Sequence, residues 1–286
     1  MTALALILVV AAAFAHSLWN FLAKKASGGL PFVWIFTGLA SLIYFPVATG
    51  VFLIQRPHLG LPNLLMILAT AAVHSAYFLL LDMAYRTGDM SLAYPIARGT
   101  GPLLSAAAGI LLLNERPSPL ALAGIGLMIS GMLLLTGNVA ALKHPGTRRV
   151  ILYALACGAT ISLYTVLDKV SVSRLGTPPL ILDWGTNFGR FLILTPVALR
   201  YMSSVREQWR LNRKRAFGVA LLSPLAYILI LTAMATCPVS YVAPAREISI
   251  LIGSIMGARL LSEQQAAVRI AGSAAMAVGL IALALG

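Results

Sequence analysis

Apolar stretches of membrane-crossing length recur along the chain, at about 3–23, 31–54, 63–84, 91–113, 118–137, 150–168, 179–199, 216–236, 239–260 and 265–285. Each is close to the roughly 20 residues an α-helix needs to cross a bilayer core. None has the short polar–apolar alternation of a transmembrane β-strand. The connections are short and carry turn formers, as in Gly28-Gly29, Pro57 to Pro62, Arg86 to Asp89, Glu115 to Pro119 and Gly176 to Pro179. The pattern predicts an all-α integral membrane protein with ten transmembrane helices. The first stretch runs from Ala3 past His16 with no basic residue ahead of it, so it reads as a retained span and not as a cleaved leader.

The chain repeats itself once. A shift of 148 positions places Arg98 on Arg246, Gly109 on Gly257, Glu115 on Glu263, Gly124 on Gly272 and Gly131 on Gly279 without a gap. A shift of 145 places Ser17-Leu18-Trp19 on Ser162-Leu163-Tyr164 and Lys24 on Lys169, and Pro46-Val47-Ala48 returns as Pro196-Val197-Ala198. The unit is five helices, giving repeats over residues 1–140 and 141–286. An odd number of spans sends the second unit through the membrane the other way, so the expected fold is two inverted five-helix repeats. Many secondary transporters build alternating access from such repeats.

Composition narrows the reading. The 286 residues are 59% hydrophobic and 10% charged, with a mean hydropathy of +0.90, whereas a soluble domain is about a quarter charged. The net charge of +13 is gathered in short clusters, Lys143 to Arg149 and Arg200 to Arg215. That is the pattern of juxtamembrane charge meeting anionic head groups, not of a nucleic-acid surface. Two cysteines exclude a disulfide scaffold, and no Cys/His cluster has metal-ligand spacing, so neither metal nor cofactor is expected. There is no HExxH, no Gly-x-Ser-x-Gly and no phosphate-binding loop, which argues against an enzyme or an ATP-driven pump.

Polar residues inside the spans are the candidate chemistry, because a charge at bilayer depth usually faces a bundle interior or a water-filled route. Arg98 lies in Tyr94-Pro95-Ile96-Ala97-Arg98-Gly99-Thr100-Gly101-Pro102, and its repeat partner Arg246 in Tyr241-Val242-Ala243-Pro244-Ala245-Arg246-Glu247. Pro95, Pro102 and Pro244 free carbonyls from the helix ladder and the glycines permit close approach, so these two helices are expected to bend or break. Both arginines have an alternative reading, in which they pair structurally or snorkel to the head groups. Arg190 is the deepest charge, with Asp183 and Asn187 on the same helical face. Its expected partner is Glu247 if the seventh and ninth helices touch, or else Asp183. His74 and Asp82 stack on one side of the third span with Tyr77 beside them, and are the candidates for carrying a proton. Trp19 and Tyr164 occupy matching repeat positions and could flank a cavity or sit in an interfacial belt, and Tyr227 follows Pro224 in the eighth span. Small residues at matching places in the fifth and tenth spans (Gly124, Gly131, Gly272, Gly279) suggest a rigid seam or a dimer contact.

Two five-helix repeats, Trp19-Asn20 with Lys24 closing the first helix, the Gly/Pro-interrupted fourth helix ending in Leu113-Asn114-Glu115-Arg116, and the echo Leu261-Ser262-Glu263 together resemble the EamA branch of the drug/metabolite transporter superfamily. The resemblance implies a multi-pass protein of the cell inner membrane that exports small metabolites, amino acids and aromatic amino acids among them. It also implies a central cavity lined by Trp19, His74, Tyr77, Tyr94, Arg98, Tyr164, Tyr227 and Arg246. Export of hydrophobic cations and transport of nucleotide-sugars or sugar phosphates are the competing functions. The expected partners are a small-molecule cargo and membrane lipids, with the chain a monomer or weak homodimer. No motif fixes the cargo, and the amino terminus lacks the basic residues often found in the family.

Thirteen of the Lys and Arg residues fall in odd-numbered connections and four in even-numbered ones, which places the odd connections in the cytoplasm and both termini outside. A reporter active only outside the cytoplasm, fused after Gly286, is therefore expected to be active. Silence there, with a cytoplasmic reporter active at the same position, reverses the orientation.

Overall fold

The computed structural model describes the backbone of the chain outside residues 88–89, 137–146 and 258–265, and side chains outside 85–95, 135–147, 253–267 and 269. The side chains of Tyr94 and Pro95, and the whole of Glu263, thus lie outside the described residues. The described elements are all α-helices: α1 (Ala3–Ala26), α2 (Gly29–Gln55), α3 (Leu61–Thr87), α4 (Met90–Leu112), α5 (Pro119–Thr136), α6 (Thr147–Ser173), α7 (Pro179–Arg200), α8 (Met202–Thr236), α9 (Val239–Ala245), α10 (Ile248–Gly257) and α11 (Ala266–Leu285). Local chemistry sets several ends. The Thr2 hydroxyl accepts the Ala5 N–H at the start of α1, and Ser27 ends that helix in the left-handed region at φ 47°.

Among the described residues, five helices are long and apolar enough to cross a bilayer: Ala3–Ala26, Gly29–Gln55, Leu61–Ala84, Arg148–Ser173 and Met202–Thr236. Leu, Ile and Phe side chains such as Leu4, Phe14, Leu42, Ile54, Leu111 and Ile270 point outward, while Arg98, Asp168, Asp183, Arg190, Arg246 and Glu247 are buried. Water would penalise that arrangement and a bilayer rewards it. The chain is a multi-pass membrane protein.

Two boundaries differ from the sequence expectation. The basic segment Arg200 to Arg215, expected as a loop, is helical and continuous with the eighth span, making α8 35 residues long. Arg, Glu, Gln and Lys are good helix formers, and at 1.5 Å per residue a helix of that length is about 50 Å long, well beyond the hydrocarbon core. The ninth span, expected as one helix, is two, because Arg246 and Glu247 form a turn between α9 and α10. Its repeat counterpart α4 is unbroken through Pro95 and Pro102.

Helix neighbours come in matched sets. α1 packs on α8 and α3 on α6; α2 packs on α8 and α3 on α7; α4 packs on α6 and α1 on α10. In each set the second pairing joins the repeat counterparts of the first. Helices α2 and α7, α4 and α9, and α5 and α11 pack directly on their own counterparts.

In the α5–α11 contact backbone lies directly against backbone. A Cβ added at Gly124 would lie 2.8 Å from the Gly279 carbonyl oxygen, one at Gly279 2.9 Å from the Gly124 oxygen, and one at Gly131 2.6 Å from the Gly272 oxygen. The small residues are therefore used within the chain, backbone against backbone. The glycines of α4 serve packing as well: a Cβ at Gly101 would strike Ile161 of α6 at 2.6 Å, and one at Gly99 would press on Met132 and Leu133 of α5 at 3.1 and 3.2 Å. Replacing Gly131 with Leu should separate α5 from α11 and lower the yield and melting temperature of the detergent-purified protein sharply. The same change at Gly126, where an added Cβ meets nothing within 4 Å, should leave both close to wild type.

Candidate functional site

The break between α9 and α10 follows from its sequence. Pro244 has no N–H to give the preceding turn, and the chain then tightens: the Glu247 N–H donates to the Pro244 carbonyl at 3.0 Å, Ser249 to Arg246 at 3.3 Å and Ile250 to Glu247 at 2.8 Å. These are i to i−3 bonds in place of the α ladder. At the start of α9, Glu115 accepts the N–H groups of Val239 and Ser240 on its two carboxylate oxygens, at 2.7 and 2.8 Å. A carboxylate there satisfies orphan donors and faces the positive end of the helix dipole. At the other end, the Ser17 hydroxyl lies 2.6 Å from the Ser249 carbonyl and binds it from α1.

The turn carries two of the predicted residues and meets a third. Glu247 pairs with Arg98 of α4 at 2.8 Å, and its other oxygen lies 3.5 Å from Arg246 Nε. Arg98 and Arg246 are only 8% and 4% exposed, which excludes snorkelling for both. Arg98 is eight residues into α4, roughly 12 Å along it, and Arg246 directly follows the seven-residue α9, roughly 10 Å from its start. The triad is therefore well inside the bundle. It also corrects the expected Arg190–Glu247 pair, since Glu247 is occupied by Arg98. Arg190 instead donates to Asn187 Oδ1 at 2.5 Å, Asn187 Nδ2 donates to Asp183 Oδ2 at 3.0 Å, and the guanidinium carbon lies 5.1 Å from the centre of the Phe78 ring. The alternative partner, Asp183, is thus reached through an amide, which spans the offset along α7.

Four other predicted residues form an aromatic cluster where α3, α6 and α8 meet. His74 stacks on Tyr164 with centroids 3.8 Å apart, and Tyr227 stands edge-on to both at 5.7 and 6.3 Å. Tyr77 closes on Tyr164 at 6.3 Å. His74 Nδ1 lies 3.0 Å from the Thr70 carbonyl, an acceptor only, so Nδ1 carries the proton of that bond. Arg246 is within electrostatic range of Tyr164, Tyr227 and His74, and Arg190 of His74. The cluster and the triad therefore share one interior.

Other predicted residues lie elsewhere. Asp82 sits at the far end of α3, where a Cβ on Gly29 would come within 3.6 Å of its Oδ1. Eight residues of helix, about 12 Å, separate it from His74. Trp19 makes an edge contact with His16 at 4.9 Å and packs against the cluster built around Phe32 and Phe36.

The carboxylate that does reach the cluster is Asp168, which the sequence reading passed over. It is fully buried, accepts the Thr70 hydroxyl at 2.8 Å and accepts the Tyr227 hydroxyl. Next to Lys169, at the expected end of the sixth span, it had the look of a solvated head-group charge. Instead α6 runs on to Ser173, and Lys169 turns away to bind the Met234 and Cys237 carbonyls at the end of α8, at 2.7 and 3.0 Å.

A groove of about 480 Å³ lined by Trp34, Leu42, Phe188, Phe191, Arg206 and Trp209, among others, lies between α2, α7 and the start of α8. None of the predicted cavity residues lines it.

Residues 3–137 match the model of the EamA-like transporter family. The first half of the chain is EamA-like. That stretch resembles a family of transporters, and it is the part of the chain that holds α1 to α5. No curated protein matches it. A solved structure described only as "Crystal structure of protein" superposes with a TM-score of 0.71 at 16% identity, covering 98% of this chain and 97% of that one. At that identity the likeness shows the shared fold alone.

Glu247 lies within ion-pairing distance of both Arg98 and Arg246. Replacing it with Gln removes a buried charge partner shared by two guanidinium groups, and should cost on the order of 3–5 kcal/mol of stability. Thermal unfolding in detergent measures the loss, and the double variant Arg98→Gln/Glu247→Gln should recover part of it. An E247Q protein as stable as wild type would mean that the triad is not a structural unit.

Proposed function

We propose that the protein exports small zwitterionic metabolites, amino acids with large apolar side chains foremost, across the inner membrane. It does so by alternating access between two inverted five-helix units, residues 1–140 and 141–286, each contributing five of ten spans. The observation that carries this reading is the Arg98–Glu247–Arg246 triad, whose helix α4 packs on the α6 that carries Tyr164 of the His74, Tyr77, Tyr164 and Tyr227 cluster. Arg246 Nη2 is buried and has no hydrogen-bond partner among the described atoms. A guanidinium in that state suits a cargo carboxylate, which its planar fork grips well. The tyrosines offer ring faces to an apolar side chain and hydroxyls at their edges.

Mechanism follows from the backbone. A discontinuous helix within the bundle brings charge and free carbonyls to a site without exposing them to lipid. The matched neighbour sets support a motion in which α1–α8 and α3–α6 contacts exchange roles while α5 and α11 hold. With the small-residue faces of α5 and α11 used on each other, a monomer is the working unit and any homodimer is weak. Export of hydrophobic cations is the second reading, favoured by the buried carboxylates of Asp168 and Asp183.

Arg246→Gln should weaken binding of a carboxylated amino acid by about 1.5–3 kcal/mol while changing binding of its amide or ester much less. Purified protein in liposomes, loaded with a labelled amino acid panel, tests both the cargo and the variant. Equal loss for acid and amide would assign Arg246 to structure. If lipophilic cations or nucleotide-sugars move and no amino acid does, the cargo assignment fails.

A further inference from the structure

We propose that Asp168 is an exchange site that holds either a proton or the ammonium group of the cargo, so that each outward passage of cargo is linked to inward passage of a proton. The proposal rests on the zwitterionic cargo reading above and extends it to the second charge of the cargo.

The carboxylate of Asp168 is fully buried in a membrane-spanning helix, and no Lys, Arg or His lies within ion-pairing distance of it among the described residues. Its described partners are two hydroxyls, Thr70 on α3 and Tyr227 on α8. A carboxylate held this way in a low-dielectric interior is poorly compensated, and gains most from a mobile cation or a proton. The other buried acids are already engaged: Glu247 by Arg98 and Arg246, and Asp183 by Asn187 and through it Arg190. Among the described acids of the interior, Asp168 is the one left for a ligand.

Placement makes the ligand plausible chemically. Around Asp168 stand Thr70 and His74 from α3, Tyr164 and Lys169 from its own helix, Tyr227 from α8, Asp183 from α7 and Arg246 from the α9–α10 turn. Lys169 is committed to the carbonyls at the end of α8. Asp168 holds Tyr227 of the aromatic cluster directly, and Arg246 lies within electrostatic range of Tyr164 and Tyr227, so a zwitterion at the cluster has an anion for its ammonium and a cation for its carboxylate. The cluster supplies ring faces for the rest of the molecule.

The exchange balances as follows. With a proton bound, the Asp168 carboxyl is neutral, its O–H is a donor, and the Thr70 hydroxyl from α3 loses a charge-assisted acceptor on α6, roughly halving the strength of that bond. Cargo entering with its ammonium displaces that proton to water on the cytoplasmic side. After the site opens outward, cargo leaves and a proton from the outer side replaces it. No other bond forms or breaks.

The test is cargo binding by the full-length protein in detergent, read by calorimetry in buffers of different ionisation enthalpy, with a large apolar amino acid as probe. Wild type should release a proton on binding, and affinity should fall as pH drops, by up to about tenfold per pH unit below the midpoint. The deaminated analogue of the same acid, having no ammonium, should release none. Asp168→Asn keeps the shape and both hydroxyl partners, and should bind cargo more weakly with no proton release and a flat pH dependence. Asp168→Glu should restore release with a displaced midpoint. Amino acid binding without proton release would overturn the exchange site and leave the cargo reading standing. If no amino acid binds, the cargo reading and the ammonium role fall together, and infrared titration decides the proton: a carboxyl band that titrates in wild type and is missing in D168N supports it, and no such band overturns it.

Discussion

Inside a bilayer no water comes to an unpaired backbone group or charge, so a helix that breaks there must bring its own partners. The turn at Arg246-Glu247 is where this protein meets that constraint, and its surroundings are explained by it. Glu115 receives the first N–H groups of α9, Ser17 binds a carbonyl at the start of α10, and Arg98 neutralises the glutamate of the turn. These partners come from the connection after α4, from α1 and from α4 itself. The break is thus a tertiary feature, held by three parts of the first half of the chain though it lies in the second. The leucine-x-glutamate turn that gives the sequence its family resemblance has a physical task in Glu115, the capping of a half-helix.

The remaining interior divides into a part built for contact and a part built for ligands. Between α5 and α11 the backbones touch through glycines, with no polar side chain needed. Such a contact resists sliding, because every shift drives a carbonyl into a Cα. Around His74, Tyr164 and Tyr227 the side chains are large, amphipathic and joined by few hydrogen bonds, so parting them costs ring contacts and not a ladder of bonds. A carrier needs both kinds of region, one to keep the units in register and one to open.

Much of this was legible in the sequence, and the failures have specific causes. Hydropathy marked the spans because lipid selects on single-residue transfer, and the repeat register paired Gly124 with Gly272 and Arg98 with Arg246 because those positions answer to the same packing. Periodicity within one helix placed His74 beside Tyr77 and Asp183 beside Arg190. It could not place Glu247 against Arg98 over Arg190, because that depends on which helices cross. Asp168 was hidden by a boundary error of five residues: a helix ending at 168 leaves it at the surface, and one ending at Ser173 puts it inside. Asp82 shares a helical stripe with His74 and lies about two turns from it, beside Gly29.

The two halves share a backbone plan without sharing chemistry. In the register that sets Arg98 on Arg246, Glu247 falls on Gly99; in the register of the first helices, Asp168 falls on Ala23; and in that of Pro46 and Pro196, Asp183 and Arg190 fall on Val33 and Ala40. Among the described residues every buried acid thus comes from the second half, and the first half contributes hydroxyls, an imidazole and one arginine. Only one of the two counterpart helices is broken, and it is the one that carries a glutamate at the break. In the alternating-access cycle proposed above, exchanging the roles of the halves would carry a fixed set of charges from one opening to the other, with the same Asp168 and Arg246 meeting each side in turn. Symmetric chemistry would give two half-sites with equal claims on the cargo. Asymmetric chemistry on a repeated frame gives a single site, which suits the proposed movement of one molecule through two exposures.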